Sequence, residues 1–174
     1  DIQPGLVSEN RDVIFHDTEE IILSSNLITT LDATADGTED VVLTHYGEDE
    51  TTNYVFAAPF AEEVFPADSV AHIITGHNDR QMVRSEDING DGFADLILAD
   101  ESIGGLIPTQ IGTRDRLGQV AVFFSPIIGE KTIEDADVLI SGTQENDELG
   151  QDVQSGDFNG DGVADIVVSS QSNV

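Results

Sequence analysis

The chain has no cysteine, no tryptophan and a single methionine. Without cysteine there can be no disulfide, no thiolate metal site and no cysteine nucleophile. Secretion stays open, because a bound metal can staple a domain that lacks disulfides. Basic residues are nearly as scarce: six Lys+Arg, with Lys131 the one lysine, stand against 35 Asp+Glu, for a net charge of −29 at pH 7. Such a surface repels nucleic acid and anionic membrane, which excludes both as partners. No apolar run approaches the roughly 20 residues needed to cross a bilayer, so membrane insertion is not expected. No Asn-x-Ser/Thr sequence occurs, although Ser/Thr-linked sugars stay open. The chain starts at Asp1 with neither Met nor a signal-like segment, as expected of a mature form or an excerpt.

What is present is enough for one compact domain: 174 residues, 39% of them hydrophobic. The acidity destabilises that compact state unless cations bind. Solubility or adaptation to high salt would be the bland explanation of the charge. The placement of the acids argues for a more specific one.

The sequence repeats itself. Asp87-Ile-Asn-Gly-Asp-Gly-Phe-Ala-Asp95 runs into Leu96, Ile97 and Leu98, and Asp157-Phe-Asn-Gly-Asp-Gly-Val-Ala-Asp165 runs into Ile166, Val167 and Val168. A degenerate copy, Asp32-Ala-Thr-Ala-Asp-Gly-Thr-Glu-Asp40, precedes Val41, Val42 and Leu43. The similarity extends beyond the loops. Tyr54-Val-Phe-Ala-Ala-Pro59 matches Ala121-Val-Phe-Phe-Ser-Pro126, and Ile74-Thr75-Gly76 matches Ile140-Ser141-Gly142. One unit therefore reads as loop, strand, connection, strand ending in Pro, strand ending in Gly, then the next loop. The intervening segments are short, rich in Val, Ile and Phe and punctuated by Gly, Pro, Asn and Asp, which predicts an all-β fold. Residues 101–118 read as the longest loop, and residues 1–10 are the least assignable.

Each loop is built for a hard dication. Calcium takes six to eight oxygen ligands at about 2.3–2.6 Å in a flexible arrangement. Acids at positions 1, 5 and 9, with Asn or Thr at position 3, place side-chain oxygens on alternate residues: Asp87, Asn89, Asp91 and Asp95; Asp157, Asn159, Asp161 and Asp165; Asp32, Thr34, Asp36 and Asp40. Gly at position 6 (Gly37, Gly92, Gly162) permits the sharp turn, after which the carbonyl of Thr38, Phe93 or Val163 can face the ion. Without a cation the converging carboxylates repel one another. Calcium is thus expected in two loops, 87–95 and 157–165, and in the weaker loop 32–40, where Thr34 is a poorer ligand than Asn. An EF-hand would need Glu at position 12 and flanking helices; here position 12 is Leu98 or Val168 and a strand follows.

These loops, Leu149-Gly150 ahead of the third, and the strand Gly118-Gln-Val-Ala-Val-Phe resemble the FG-GAP repeats of integrin α-subunit propellers and their bacterial extracellular relatives. The resemblance covers about residues 28–174. It implies β-propeller-like blades with a calcium loop between the first two strands of each blade, and an extracellular or cell-surface setting. It also implies a role in adhesion or other protein–protein association. Leu149-Gly150 stands for the family's Phe-Gly, and its Gly-Ala-Pro is reduced to Ala58-Pro59 and Ser125-Pro126. Three units are too few for a seven-bladed ring. The chain is then an excerpt of a longer propeller, an open β domain, or a partner to copies of itself, with residues 1–27 an N-terminal segment and 1–15 a candidate exchanged strand.

No catalytic constellation stands out. His16, His45, His72 and His77 are scattered; His72 and His77 flank a turn and could meet. There is no Gly-x-Ser-x-Gly elbow, phosphate-cradling loop or zinc-type His cluster, and the best-organised carboxylates are committed to calcium. The many others leave a glycosidase-like pair open. The expectation is a non-enzyme that associates with other protein chains, copies of itself included: an adhesion module, a self-assembling subunit of a filament or surface layer, or the non-catalytic repeat region of a secreted enzyme. With only Tyr46 and Tyr54 beside the missing tryptophan, a carbohydrate ligand is weakly supported.

Overall fold

Every aspartate loop closes a β-hairpin in the computed structural model, which describes residues 14–16, 23–47, 50–60, 63–75, 81–102, 116–144 and 146–171. The loop at 32–40 joins β2 (Leu23–Leu31) to β3 (Asp40–Tyr46), the loop at 87–95 joins β7 (Gln81–Glu86) to β8 (Asp95–Asp100), and the loop at 157–165 joins β12 (Val153–Gly156) to β13 (Asp165–Val168). Register is the same at all three mouths: Leu31 faces Asp40, Glu86 faces Asp95 and Gly156 faces Asp165. The strands entering the loops were absent from the unit expected from sequence. They are polar or non-alternating (Leu-Ser-Ser-Asn in β2, Val-Gln-Ser-Gly in β12), and pairing with the apolar strand beyond the loop makes them strands.

Two four-stranded antiparallel blades follow from these hairpins. In the first, β4 (Thr51–Phe56) and β6 (Ala71–Ile74) extend the sheet; in the second, β9 (Gln119–Phe123) and β11 (Val138–Ser141) do the same. The third unit is the two-stranded hairpin alone among the described residues. The strands expected to end in proline stop earlier, at Phe56 and Phe123, and the chain passes through the cis peptides Ala58–Pro59 and Ser125–Pro126. Among the described residues the structure is nearly all β, in several sheets of which none closes into a barrel, consistent with a partial β-propeller-like domain. No helix among the described residues is long and apolar enough to cross a membrane.

The blades are interlocked. After Pro126 the chain runs back as β10 (Gly129–Thr132), parallel to β6 of the first blade, before the 3-10 turn Ile133–Asp135 returns it to β11. The first blade repeats this path. After Pro59, β5 (Glu63–Val64) lies parallel to β1 (Ile14–Phe15) and the turn Pro66–Asp68 leads into β6. Asp68 accepts from the Phe65 amide and Asp135 from the Thr132 amide, each at 2.8 Å, so the two turns are closed alike. By this correspondence β1 sits where a preceding blade would place its fourth strand, and Phe15 takes the position of Ile73. Residues 1–13 of the candidate exchanged strand lie outside the described residues; Ile14–Phe15 pairs within its own chain. β2, the first strand of the first hairpin, starts at Leu23.

Apolar side chains fill the spaces between blades. Leu31, Ala33, Val42 and Ile73 of the first blade pack against Leu96, Leu98, Phe123 and Ile127 of the second, all 2% exposed or less. The other face of the second blade, with Ile97, Val120 and Val122, meets Val153, Ile166 and Val168 of the third unit. A third cluster, Leu43, Phe56 and Val64 with Phe15 and Phe60, lies on the outward face of the first blade. Each fully buried Val, Leu, Ile or Phe contributes roughly 1.5–3 kcal/mol. A polar seam crosses the first junction: the Thr44 hydroxyl donates to Asn53 Oδ1 (2.8 Å), and Gln81 Oε1 accepts from Thr75 Oγ1 (3.1 Å) and Asn53 Nδ2 (3.4 Å).

Candidate metal centre

The three loops share one conformation. Positions 4 and 6 have positive φ in each: Ala35 (57°) and Gly37 (90°), Gly90 (76°) and Gly92 (93°), Gly160 (82°) and Gly162 (89°). Left-handed backbone here turns successive amide N–H groups toward the loop's interior, where the first aspartate meets them. Asp87 Oδ1 accepts from the Gly90 and Asp91 amides (2.7 and 3.2 Å) and Oδ2 from Gly92 (2.9 Å). Asp157 does the same with Gly160, Asp161 and Gly162 (2.6, 3.1 and 2.9 Å). Asp32 accepts from Asp36 and Gly37 (2.9 and 2.8 Å). The Gly162 and Gly160 amides hold the Asp157 carboxyl below its ordinary value.

The middle positions follow suit. Asp91 Oδ1 accepts from the Phe93 amide, Asp161 Oδ1 from Val163 and Asp36 Oδ1 from Thr38, each at 2.9 Å. The Asn89 and Asn159 side-chain oxygens accept from the Asp91 and Asp161 amides at 2.8 Å. Thr38 also donates its hydroxyl to Asp36, and that bond, ahead of the amide, lowers the Asp36 carboxyl from its usual range.

Position 9 does something the spacing did not foretell. Asp40 and Asp95 are fully buried. One oxygen of each reaches back to the loop's own start, at the Thr34 amide (2.9 Å) and the Ile88 amide (3.0 Å). The other crosses to the residue before the cis proline of the third strand: Asp40 to the Ala58 amide (2.8 Å), Asp95 to the Ser125 amide (3.1 Å). The ninth aspartate is therefore also a tie between loop and blade. Burial raises the Asp95 carboxyl, against the pull of the Ser125 and Ile88 amides. The repeated residue–proline pair was the sequence signal for this tie. Asp165 is only half-buried and binds the Phe158 and Asn159 amides of its own loop (3.0 and 3.2 Å).

The donor set fits calcium in chemistry: three carboxylates, a side-chain amide or hydroxyl, and a backbone carbonyl, all hard oxygens with no nitrogen or sulfur among them. A carboxylate has about four lone-pair sites, and the amide bonds to Asp87 or Asp157 use three. Among the described residues no three Asp, Glu or His side chains converge on one point. The arrangement is an open loop whose acids are held by amides, and among the described residues no Lys, Arg or His forms an ion pair with any of them.

The described histidines form no ion pair with the loop acids. His72 approaches Glu130 (3.5 Å) between β6 and β10, and His16 stacks on Phe65 at 4.8 Å. His77 lies outside the described residues, as do residues 103–115 of the long loop.

Hairpins closed by aspartate loops and joined into interlocked four-stranded blades define a β-repeat protein of propeller type. The third unit is FG-GAP-like by direct comparison: the family model of the FG-GAP repeat matches residues 149–173, which contain Leu149-Gly150, β12, the 157–165 loop and β13. In the structure Leu149 bridges Gly118, and Gly150 packs under β8 and β9, where a Cβ would come within 2.9 Å of the Gln119 carbonyl. The Phe-Gly position thus fastens the third unit to the second blade. Comparison with curated proteins gave no match.

Proposed function

We propose that this chain is an extracellular calcium-binding module, in which ions held by the three aspartate loops rigidify the blades for association with other protein chains, and that it is not an enzyme. One observation carries the reading: loops of the same nine-residue pattern recur in one backbone conformation, at one place in three successive hairpins, with no positive side chain paired to their acids among the described residues. Amide hydrogen bonds fix the loop but leave its negative charge; a hard dication removes it. The ligands are Asp87, Asn89, Asp91, the Phe93 carbonyl and Asp95; Asp157, Asn159, Asp161, the Val163 carbonyl and Asp165; and, more weakly, Asp32, Thr34, Asp36, the Thr38 carbonyl and Asp40. The FG-GAP match at 149–173 supports the extracellular and adhesive setting.

Titration calorimetry with calcium, against magnesium, tests this. Two or three sites with Kd near 10⁻⁴–10⁻³ M are expected, falling by one in Asp91→Ala and by one in Asp161→Ala. Absence of calcium heat from folded protein would end the reading.

A further inference from the structure

The three aspartate loops are alike one by one, but they do not meet one another alike. The third leans on the second at two points. Its Ala164 amide donates to the Asp87 carbonyl at 3.2 Å. A Cβ on Gly90 would come within 3.1 Å of a Val163 methyl, so the valine occupies the space over that glycine. Gly160, at the same position of the third loop, would meet nothing within 4 Å. Between the first and second loops the arrangement differs. The corresponding carbonyl, of Asp32, takes the amide of Ala35 in its own loop (3.3 Å). There the strands leading into the loops are joined instead, the Ser85 hydroxyl donating to the Thr30 carbonyl at 2.9 Å.

We propose that the Val163–Ala164 peptide couples the second and third loops, so that fixing one helps to fix the other, while the first loop orders on its own. The residues in contact are those that shape each loop. Asp87 gathers the Gly90, Asp91 and Gly92 amides, and Asp161 holds the Val163 amide. The linking peptide is planar and trans, so its N–H and C=O point opposite ways. The N–H bonds to the second loop, which leaves the carbonyl free for the third. A loop whose neighbour is already ordered loses less conformational freedom in ordering itself. The consequence for metal rests on the calcium reading above. A cation on the Val163 carbonyl polarises the peptide and strengthens its N–H as a donor to Asp87. Occupancy of either loop then raises the affinity of the other by the same factor, about five-fold.

The test is amide hydrogen exchange and calcium titration followed by NMR on the full chain, wild type against Asp161→Ala, Asp91→Ala and Val163→Ala. In chelator, Asp161→Ala is expected to speed exchange of the Gly90 and Gly92 amides about five-fold, with Gly37 unchanged. Val163→Ala keeps every loop acid and the backbone carbonyl, and should act in the same direction. It takes the place of Asp161→Ala should that variant melt well below wild type. Wild-type exchange at Gly90 and Gly92 in both variants overturns the coupling, as does an equal acceleration at Gly37. On adding calcium, the Gly92 resonance should need about five-fold more calcium to shift in Asp161→Ala, and Gly162 the same in Asp91→Ala. The two arms separate the readings. Coupled exchange in chelator with no calcium-induced shift in wild type supports the coupling and sinks the calcium reading. Calcium shifts in wild type, with Gly92 midpoint and exchange unaltered in the variants, sink the coupling alone.

Discussion

The second and third loops carry almost the same nine residues, yet the structure embeds them differently. Asp95 is fully buried and spans from its own loop to Ser125, just beyond the neighbouring strand β9, whereas Asp165 is half-buried and holds only its own loop. The chemistry of the loop is thus written locally, but its coupling to the blade is supplied by a third strand. Where that strand is described, the ninth aspartate does two jobs. In the third unit it does one.

Removing calcium should have the largest effect, because it acts on every loop. With free calcium about ten-fold above Kd, each occupied site contributes roughly 1.4 kcal/mol, so three sites give about 4 kcal/mol. At about 2–4 °C per kcal/mol for a chain of this size, chelator should lower the melting temperature by on the order of 10 °C. Differential scanning calorimetry reads this directly, and an unchanged transition contradicts bound calcium.

Next comes the contrast between the ninth aspartates, measured in chelator so that no ion intervenes. Asp95→Ala leaves the Ile88 and Ser125 amides without their acceptor, at about 1–3 kcal/mol per buried donor. Asp165→Ala should cost about 1 kcal/mol or less, since its partners are exposed. Equal losses on denaturant unfolding would erase the proposed difference in embedding.

Acid sharpens the same comparison. Amide bonds lower the Asp157 carboxyl, so its contribution is complete above the ordinary value of 3.8 and is lost as pH falls through the folded value. Burial raises Asp95, so its ionisation has the opposite sign: stability declines as pH rises from 3.8 through the raised folded value. In chelator, Asp157→Asn should therefore shallow the acid-side loss of melting temperature. An unchanged acid limb would show that the amide bonds at Asp157 do not persist in solution.

The smallest expected effect concerns the first loop, where Ala35 has φ 57° at the position that Gly90 and Gly160 fill elsewhere. Left-handed backbone costs a non-glycine residue about 1–2 kcal/mol, partly offset by the greater freedom of glycine in the unfolded chain. Ala35→Gly should gain about 0.5 kcal/mol, whereas Gly160→Ala should lose a similar amount or more. A rise in melting temperature for the first and a fall for the second is the check.

Much of this architecture was legible because aspartate spacing and the Val/Ile/Leu triplets that follow it are local signals. The nine-residue frames and β3, β8 and β13 came from those alone. The strands entering the loops were not legible, because Val-Gln-Ser-Gly or Gln-Met-Val-Arg-Ser-Glu becomes a strand only through its partner across the hairpin. Nor was β10, whose Gly-Glu-Lys-Thr has no strand pattern and is ordered by β6 of another blade. The same limit hid the tie at position 9: nothing between residues 87 and 95 announces an amide 30 residues downstream.

The parallel lodging of β10 on β6 also separates the unit of sequence from the unit of folding. A chain cut cleanly between two repeats would strip the outermost strand from the sheet before it and strand that segment on the sheet after it. Gain or loss of a repeat by duplication is therefore tolerable only out of phase with the sheets. For the same reason, pulling on one end should break neighbouring units in concert rather than peel them away singly.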